Sequence, residues 1–332
     1  MLYLTKKIWF VSVFTLIGLC LFFLIQIAIS AINIKSFTQD NNSANAKQHM
    51  LHFIIISQEL DNPFWRLVEQ GAVEATKQYS AKIDYVGPQR NNTAEQIRLL
   101  EKAIASSPDG IILQGIVNDE YTALINIAAE QNIPIITVDA DVPNSKRIAY
   151  IGTDQLDAGK QLGEHLLQFA TNNTKIGVII GSVEGENQKI RLKGLQQVLS
   201  KDTTIDIVAV RSSNISRIKA AEETVQLIKQ YPEINTFVGL SSLDGAGIVD
   251  GLSHLDNLSE QTQHYSVFAF DKLPITLELV LKGSINATLA QQPEIMGERA
   301  VHTMMSYING EPITSVQFIP SMLIDKGDLE EN

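Results

Sequence analysis

The chain has almost no cysteine: its 332 residues include one, Cys20. A single cysteine cannot form an intrachain disulfide, and it cannot supply a cysteine-based zinc site. Acidic residues outnumber basic ones: the chain has 37 Asp and Glu and 26 Lys and Arg, which gives a formal net charge of -11. Phosphate backbones attract basic surfaces, so this balance argues against a nucleic-acid partner.

Sequence signatures of catalysis are missing as well. None of the six histidines stands in a His-Glu-x-x-His pattern or beside a Gly-x-Ser-x-Gly elbow. Gly245-Ala246-Gly247 lacks the third glycine of a dinucleotide-binding loop, and no phosphate-binding Gly-Lys-Ser/Thr motif occurs. Asp139 and Asp141 are too few carboxylates for a dedicated calcium site. The sequence therefore predicts no enzyme activity, no cofactor and no metal.

The N-terminus carries an uncharged, mostly apolar run from Ile8 to Ile32, preceded by Lys6 and Lys7. A helix of about 20 apolar residues crosses a bilayer, and flanking lysines stay in the cytoplasm. We therefore expect residues 1–33 to form a single-pass membrane anchor and 34–50 a polar linker, with the rest of the chain outside the cell membrane. The alternative is a long signal peptide, cleaved near Ser30, which would release a secreted receptor.

Beyond the linker, short apolar runs alternate with amphipathic stretches. Phe53–Ile56 and Gly110–Leu113 have the length of strands, and Phe64–Tyr79 and Ile215–Tyr231 have the pattern of helices. Uninterrupted apolar strands between helices are typical of a parallel sheet covered on both faces. The alternation runs to Val138 and then restarts. It therefore predicts an α/β fold of two doubly wound parallel-sheet lobes, preceded by one transmembrane helix.

Polar and aromatic residues follow several of the predicted strands, and open parallel sheets bind ligands at the carboxyl ends of their strands. Sugar hydroxyls both donate and accept hydrogen bonds, so a sugar site needs carboxylates, amides and a guanidinium. An aromatic ring can face the apolar side of the sugar. Taken singly, these residues also fit helix caps, core aromatics or an exposed helix charge. Their joint position favours a site formed by Asn62, Phe64, Trp65, Asp139, Asp141, Arg191, Asp271 and Gln291.

Five short motifs, in this order and spacing, give the sequence a family resemblance from about Leu51 to Gln317. It resembles the ribose-type periplasmic sugar-binding proteins, which are the solute receptors of ABC transporters. The motifs are Asn62-Pro63-Phe64-Trp65, Ile133-Pro134-Ile135-Ile136-Thr137-Val138-Asp139, Gly152-Thr153-Asp154, Phe268-Ala269-Phe270-Asp271 and Ala287-Thr288-Leu289-Ala290-Gln291-Gln292-Pro293.

The resemblance implies ligand contacts at Asn62, Phe64, Trp65, Asp139, Arg191, Asp271 and Gln291. Three positions depart from the ribose binders. Ala140, followed by Asp141, stands where an arginine is expected, Ile215 replaces a stacking phenylalanine, and Ser241 replaces an asparagine. Asp141 and Ser241 are therefore candidate contacts in a variant site. These changes argue against ribose itself and leave a small sugar or polyol as the expected ligand.

The family fold also implies two discontinuous lobes joined by a three-segment hinge. The first would contain residues 51–153 with 292–320, and the second 154–291 with 321–332. A LacI-like, ligand-responsive regulator shares such a fold, but it needs a helix-turn-helix head where this chain has its apolar run. Two partners remain open for a membrane-anchored binding protein: an ABC permease that receives the solute, or a membrane sensor kinase that reads the liganded state. The anchor favours the kinase, because it keeps the binding domain close to membrane partners.

Overall fold

The predicted alternation of strands and helices is present in the computed structural model, which describes Gln26 and residues 50–256 and 264–330. The expected membrane segment, 8–32, and the linker, 34–50, lie outside the described residues except for Gln26 and Met50. Among the helices of the described ranges, none is long and apolar enough to span a bilayer. Leu51–Asn332 form one compact unit.

The first sheet has six strands. They are β1 (Leu51–Ile56), β2 (Ala81–Val86), β3 (Gly110–Gln114), β4 (Ile135–Val138), β5 (Ala149–Gly152) and β11 (Val316–Phe318). Their order across the sheet is β11-β5-β4-β3-β1-β2, and every neighbouring pair is parallel.

The second sheet also has six strands. They are β6 (Thr174–Ile180), β7 (Ile205–Ser212), β8 (Thr236–Gly239), β9 (Ser266–Phe270), β10 (Ala287–Ala290) and β12 (Met322–Asp325). Their order is β12-β10-β9-β8-β6-β7, and β12 alone runs antiparallel to its neighbour.

Ten helices connect and cover the two sheets in the described ranges. Lobe 1 is the first sheet with α1 (Pro63–Thr76), α2 (Thr93–Ala105), α3 (Asp119–Glu130) and α9 (Pro293–Ile308). Lobe 2 is the second sheet with α4 (Gln155–Leu166), α5 (Glu186–Leu199), α6 (Arg217–Gln230), α7 (Asp244–Asp256), α8 (Pro274–Leu281) and α10 (Lys326–Glu330).

Each sheet is buried on both faces, which explains its uninterrupted apolar strands. Phe53 and Ile55 of β1 pack under α1 and α9, whereas Ile54 and Ile56 pack under α2 and α3. In lobe 2, Ile179 packs under α6, α7 and α8, and its neighbours in β6 pack under α4 and α5. The described residues of all four cores lie within the compact unit Leu51–Asn332, which therefore has hydrophobic cores of its own.

Strands β5, β11 and β12 were not predicted from the sequence, and two helices also differ from the expectation. The helix expected over Ile215–Tyr231 begins at Arg217, because Asn214 and Ile215 have φ values of +49° and +57°, outside the right-handed helical region. Helix α7 was not predicted, since its 13 residues include three glycines, which are poor helix formers.

The chain passes between the two sheets three times, at residues 152–155, 290–293 and 318–322, and we call these crossings the hinge. Side-chain amides tie the crossings together. Gln155 Nε2 donates to Gln291 Oε1 at 3.4 Å, and Gln292 Nε2 donates to the Pro320 carbonyl at 2.8 Å. The second crossing is thus linked to both of the others.

Candidate ligand-binding site

A narrow cavity of about 30 Å³ lies between the carboxyl ends of the two sheets. Eight of the nine predicted site residues line it, four from lobe 1 and four from lobe 2 or its hinge connection. These eight are Asn62, Phe64, Trp65, Asp139, Arg191, Ser241, Asp271 and Gln291.

The start of α1 provides the aromatic wall of the cavity. Asn62 is the N-cap of α1, and its Oδ1 accepts a hydrogen bond from the Phe64 backbone N–H at 3.0 Å, which orients the first turn. The Phe64 and Trp65 rings are in edge contact, with centroids 6.1 Å apart. Trp65 is only 1% exposed and belongs to the lobe 1 core, so it offers the cavity a small part of its ring.

Asp139 is the carboxylate of lobe 1. Its φ of +67° turns the chain sharply after β4, and its N–H donates to the Ile151 carbonyl at 3.1 Å. The carboxylate accepts from Gln114 Nε2 at 2.9 Å and, across the cleft, from Asn187 Nδ2 at 2.9 and 3.0 Å. Burial raises the pKa of Asp139, and hydrogen bonding from Gln114 and the charge of Arg191 oppose that rise.

Arg191 lies on α5 of lobe 2 and is 2% exposed. Its guanidinium lies over the Phe270 ring, 3.5 Å from the centroid. Nε and one terminal nitrogen donate to Gln155 Oε1 at 3.0 and 2.6 Å, and the other terminal nitrogen donates to the Leu240 carbonyl. Burial lowers the pKa of Arg191, while the carboxylates of Asp271 and Asp139 oppose that change. An arginine nonetheless stays charged in proteins.

Asp271 is the carboxylate of lobe 2, and it follows β9 with a φ of +69°. Ser242 Oγ donates to one of its oxygens at 2.5 Å and Gln291 Nε2 to the other at 2.9 Å. Thr288 Oγ1 donates to its backbone carbonyl at 2.6 Å. These bonds hold a carboxylate that is 5% exposed in a fixed direction at the cavity wall.

Two further groups complete the lobe 2 side. The Ser241 hydroxyl is buried at the cavity wall. Behind it, the first residue of α7, Asp244, is fully buried and accepts from Ser213 Oγ at 2.6 Å. Burial raises the pKa of Asp244 to about 7, against the effects of Ser213 and Arg191. Lobe 2 therefore has a second buried carboxyl, close behind the cavity wall.

Asp141, the ninth predicted residue, does not line this cavity with the other eight. It forms a two-pronged ion pair with Arg147, and it accepts from Thr137 Oγ1 at 2.8 Å and the Val142 N–H at 2.7 Å. Strand β4 ends before Asp139, and the turn there breaks the alternation of side chains. Two aspartates two residues apart thus point in different directions.

Sequence reasoning missed several polar residues that shape the cavity. Gln114 is the last residue of β3, so the strand-end rule that found Asp139 could have found it. Asn187 and Gln155 lie in the first turns of α5 and α4, and no sequence signal distinguishes them from ordinary helix residues. They reach the site because the lobes and helices fold against each other.

Two parallel-sheet lobes with a polar cavity between their carboxyl ends define a two-lobe solute-binding protein. The model of the periplasmic binding protein domain family matches residues 53–312 of this chain. The chain therefore belongs to the periplasmic binding protein family, in its type I fold, and it is a binding protein rather than an enzyme. This confirms the family and the two-lobe α/β fold predicted from the sequence.

Individual relatives agree with this assignment. GanP, a glucose-galactose binding protein from Geobacillus stearothermophilus, is 36% identical, with a TM-score of 0.79 over 85% of this chain and 99% of that chain. The matching chain of a solved XylFII-LytSN complex is 29% identical, with a TM-score of 0.78 over 84% of this chain and 98% of that chain. The ribose import binding protein RbsB of Escherichia coli (strain K12) is 22% identical, over 86% of this chain and 93% of RbsB.

Proposed function

We propose that the chain binds one small neutral sugar, an aldohexose or aldopentose, in the cavity between its lobes. The observation that carries the proposal is the joint presence of two buried carboxylates, a guanidinium and an aromatic wall in one cavity. Carboxylates accept hydrogen bonds from hydroxyls, and a guanidinium donates to them. No single group in the set would identify a sugar, but together they match the alternating donors and acceptors of a pyranose.

The hydrogen bonds inside the protein leave part of each polar group free for a ligand. A guanidinium has five N–H groups, and three bonds from Arg191 to Gln155 and Leu240 use three of them. Each oxygen of Asp271 accepts one protein bond and keeps a second lone pair. The site thus offers adjacent donors and acceptors for neighbouring hydroxyls. Relatives named for glucose and galactose and for ribose support a sugar as the ligand.

Closure of the two lobes is the proposed binding step. A ligand held by Asp139 of lobe 1 and by Arg191 and Asp271 of lobe 2 stabilises the closed arrangement, because it loses half of its contacts when the lobes part. The hinge residues can absorb the rotation. Hydrogen bonds to charged groups contribute about 1.5–3 kcal/mol each, so a few of them reach the roughly -8 kcal/mol of micromolar binding.

Presentation of the closed form to a membrane protein is the second half of the proposal. We infer that residues 8–32 keep the binding unit attached to the outer side of the cell membrane, where it contacts a sensor kinase. The support is the apolar run after Lys6 and Lys7, together with the solved XylFII-LytSN complex, in which a relative assembles with a second protein. Delivery to an ABC permease is the competing role, which the import protein RbsB supports.

Sugar binding is tested directly by calorimetry on residues 51–332 with a panel of D-glucose, D-galactose, D-xylose, L-arabinose, D-ribose and myo-inositol. We expect micromolar affinity for at least one aldose and weaker binding of ribose. Trp65 is the only tryptophan in this unit. Its fluorescence should therefore change on addition of the same sugar. Absence of heat and of a fluorescence change across the panel would contradict the proposal.

Membrane attachment is tested on the full chain expressed in a bacterial host. N-terminal sequencing should find the chain starting at its own N-terminus in the membrane fraction, with residues 51–332 accessible to protease from outside. A mature chain that starts near Ile32 would overturn the anchor and favour the transport role, and it would leave the sugar proposal intact.

A further inference from the structure

Gln155 lies where the hinge meets the binding cavity. It is the first residue of α4, directly after the N-cap Asp154 at the first crossing, and its side chain is 6% exposed. Its Oε1 accepts two hydrogen bonds from Arg191, at 3.0 and 2.6 Å. Its Nε2 donates to Gln291 Oε1 at 3.4 Å, and Gln291 in turn donates to Asp271 at 2.9 Å. One amide thus connects the guanidinium, the second crossing and a carboxylate of the site.

Close packing of α4 on α5 fixes the distance between Gln155 and Arg191. A Cβ at Gly159 would lie 1.9 Å from the Arg191 carbonyl oxygen, and one at Gly194 would lie 2.1 Å from the Leu156 carbonyl oxygen. Only glycine allows such an approach at these two positions. The backbones of the two helices therefore touch within one turn of the Gln155–Arg191 contact, and neither side chain can move away by a shift of its helix.

The bonds from Gln155 decide which way the guanidinium points. Among the described residues, Gln155 is the only side chain that accepts hydrogen bonds from Arg191, and the third bond goes to a backbone carbonyl. A buried guanidinium that loses two hydrogen bonds turns toward other acceptors, because unpaired charged donors are costly in a protein interior. The nearby carboxylates are those of Asp271, Asp139 and Asp244, and the first two line the cavity. Turning toward them would consume the acceptors that a sugar needs.

We propose that Gln155 is a positioning residue for ligand binding: it holds Arg191 so that two N–H groups of the guanidinium face the cavity, and it ties this orientation to the hinge. The proposal rests on the sugar-binding function proposed above. Gln155 and Arg191 both belong to lobe 2, so the orientation that Gln155 sets is kept when the lobes rotate, and the bond from its Nε2 to Gln291 anchors Gln155 at the second crossing. Gln155 itself need not touch the sugar.

A pair of substitutions separates positioning from general structural support. Gln155→Met keeps the length of the side chain and removes its hydrogen bonds, whereas Gln155→Glu keeps the acceptor for Arg191. We expect Gln155→Met to lower the affinity for the tightest-binding aldose of the panel about 10- to 100-fold, as the loss of hydrogen bonds to a charged group implies. Gln155→Glu should recover most of that loss. Gln161→Met, on the exposed side of the same helix, is the matched control and should leave affinity unchanged.

A double-mutant cycle with Arg191→Ala shows whether Gln155 acts through the guanidinium. Once Arg191 is gone, Gln155→Met should have no further effect on affinity. Equal loss of affinity in both backgrounds would overturn the proposal, since Gln155 would then act on the ligand or the fold directly. Unchanged affinity of Gln155→Met in the native background would overturn it too.

A measurement without any sugar keeps this test separate from that of the proposed function. In residues 51–332 labelled with ¹⁵N-arginine, the Arg191 Nε–H should give a protected signal, identified by its loss in Arg191→Lys. The signal should stay in Gln155→Glu and shift or exchange rapidly in Gln155→Met. An identical signal in Gln155→Met would overturn the positioning role, whereas a failure of every sugar to bind would overturn the proposed function alone.

Discussion

The two lobes bring the same backbone geometry to the cavity but different chemistry. Asp139 of lobe 1 and Asp271 of lobe 2 each follow a strand with nearly equal positive φ, +67° and +69°. Each N–H bonds the carbonyl of the neighbouring strand, and each carboxylate accepts from a glutamine, Gln114 or Gln291. The same turn after a parallel strand thus occurs in both lobes, and each lobe directs one carboxylate into the cavity.

What differs is where the positive charge lies. Lobe 2 supplies Arg191 to the cavity, whereas in lobe 1 the guanidinium of Arg147 is paired with Asp141 outside it. Lobe 1 offers the aromatic wall and a carboxylate whose cross-cleft partner, Asn187, comes from lobe 2. Lobe 2 therefore supplies the positive charge of the cavity. The Asp139 carboxylate of lobe 1 has its Asn187 partner only when the two lobes are closed.

The largest expected effect is on the charge that lobe 2 alone provides. Arg191→Ala should cost about 2–4 kcal/mol of sugar binding, because it removes donors to the ligand and leaves Asp139 and Asp271 uncompensated. Calorimetry with the best aldose of the panel measures the loss. Lys189→Ala is the matched control: Lys189 lies on the same helix, and its side chain is 51% exposed. If both variants bound sugar as the native protein does, lobe 2 would not carry the recognition.

A second asymmetry is the buried carboxyl of Asp244 in lobe 2, whose pKa burial raises from 3.8 to about 7. A raised pKa means that the folded state holds the proton more tightly than the unfolded state does. The contribution to stability is thus greatest below the usual pKa and is lost as pH rises through about 7. Asp244→Asn should remove about 1–2 kcal/mol of this pH dependence between pH 5 and 7. Thermal unfolding of both proteins at several pH values measures it, and parallel curves would contradict the prediction.

The cross-cleft bond from Asn187 to Asp139 sharpens the comparison, because it joins the lobes without a ligand. Asn187→Ala should weaken the closed state by about 1 kcal/mol, the usual net value of a hydrogen bond. Small-angle scattering of the sugar-free protein should then show a larger radius of gyration, and saturating sugar should restore the compact form. No change in the sugar-free curve would mean that this bond does not hold the lobes together.

The smallest effect on binding is expected next to Asp139. Asp141→Asn should leave sugar affinity within about threefold of the native value, because Asp141 pairs with Arg147 away from the cavity. It should lower the stability of lobe 1 by about 1 kcal/mol, as loss of a partly exposed ion pair implies. Asp139→Asn, two residues away, should instead weaken binding strongly. A strong loss of sugar affinity in Asp141→Asn would show instead that Asp141 takes part in sugar binding.

The sequence by itself determined the two-lobe α/β fold and most of the candidate site. Uninterrupted apolar strands such as Phe53–Ile56 fix a sheet buried on both faces, and parallel strands place their carboxyl ends at one edge. Residues directly after strands, such as Asp139 and Asp271, could therefore be found from the sequence, because this rule depends only on local order along the chain.

The tertiary structure alone decided the partners of those residues. Asp139 accepts a hydrogen bond across the cleft from Asn187, which lies 48 positions further along the chain. Arg191 donates to Gln155 because the two helices that carry them are in backbone contact at glycines. Asp141 was predicted as a contact because it follows the fourth strand beside Asp139, and the structure pairs it with Arg147. Local pattern fixes which element a side chain belongs to. Its direction and its partners depend on turn geometry and on contacts between distant segments, which have no signature in a single sequence.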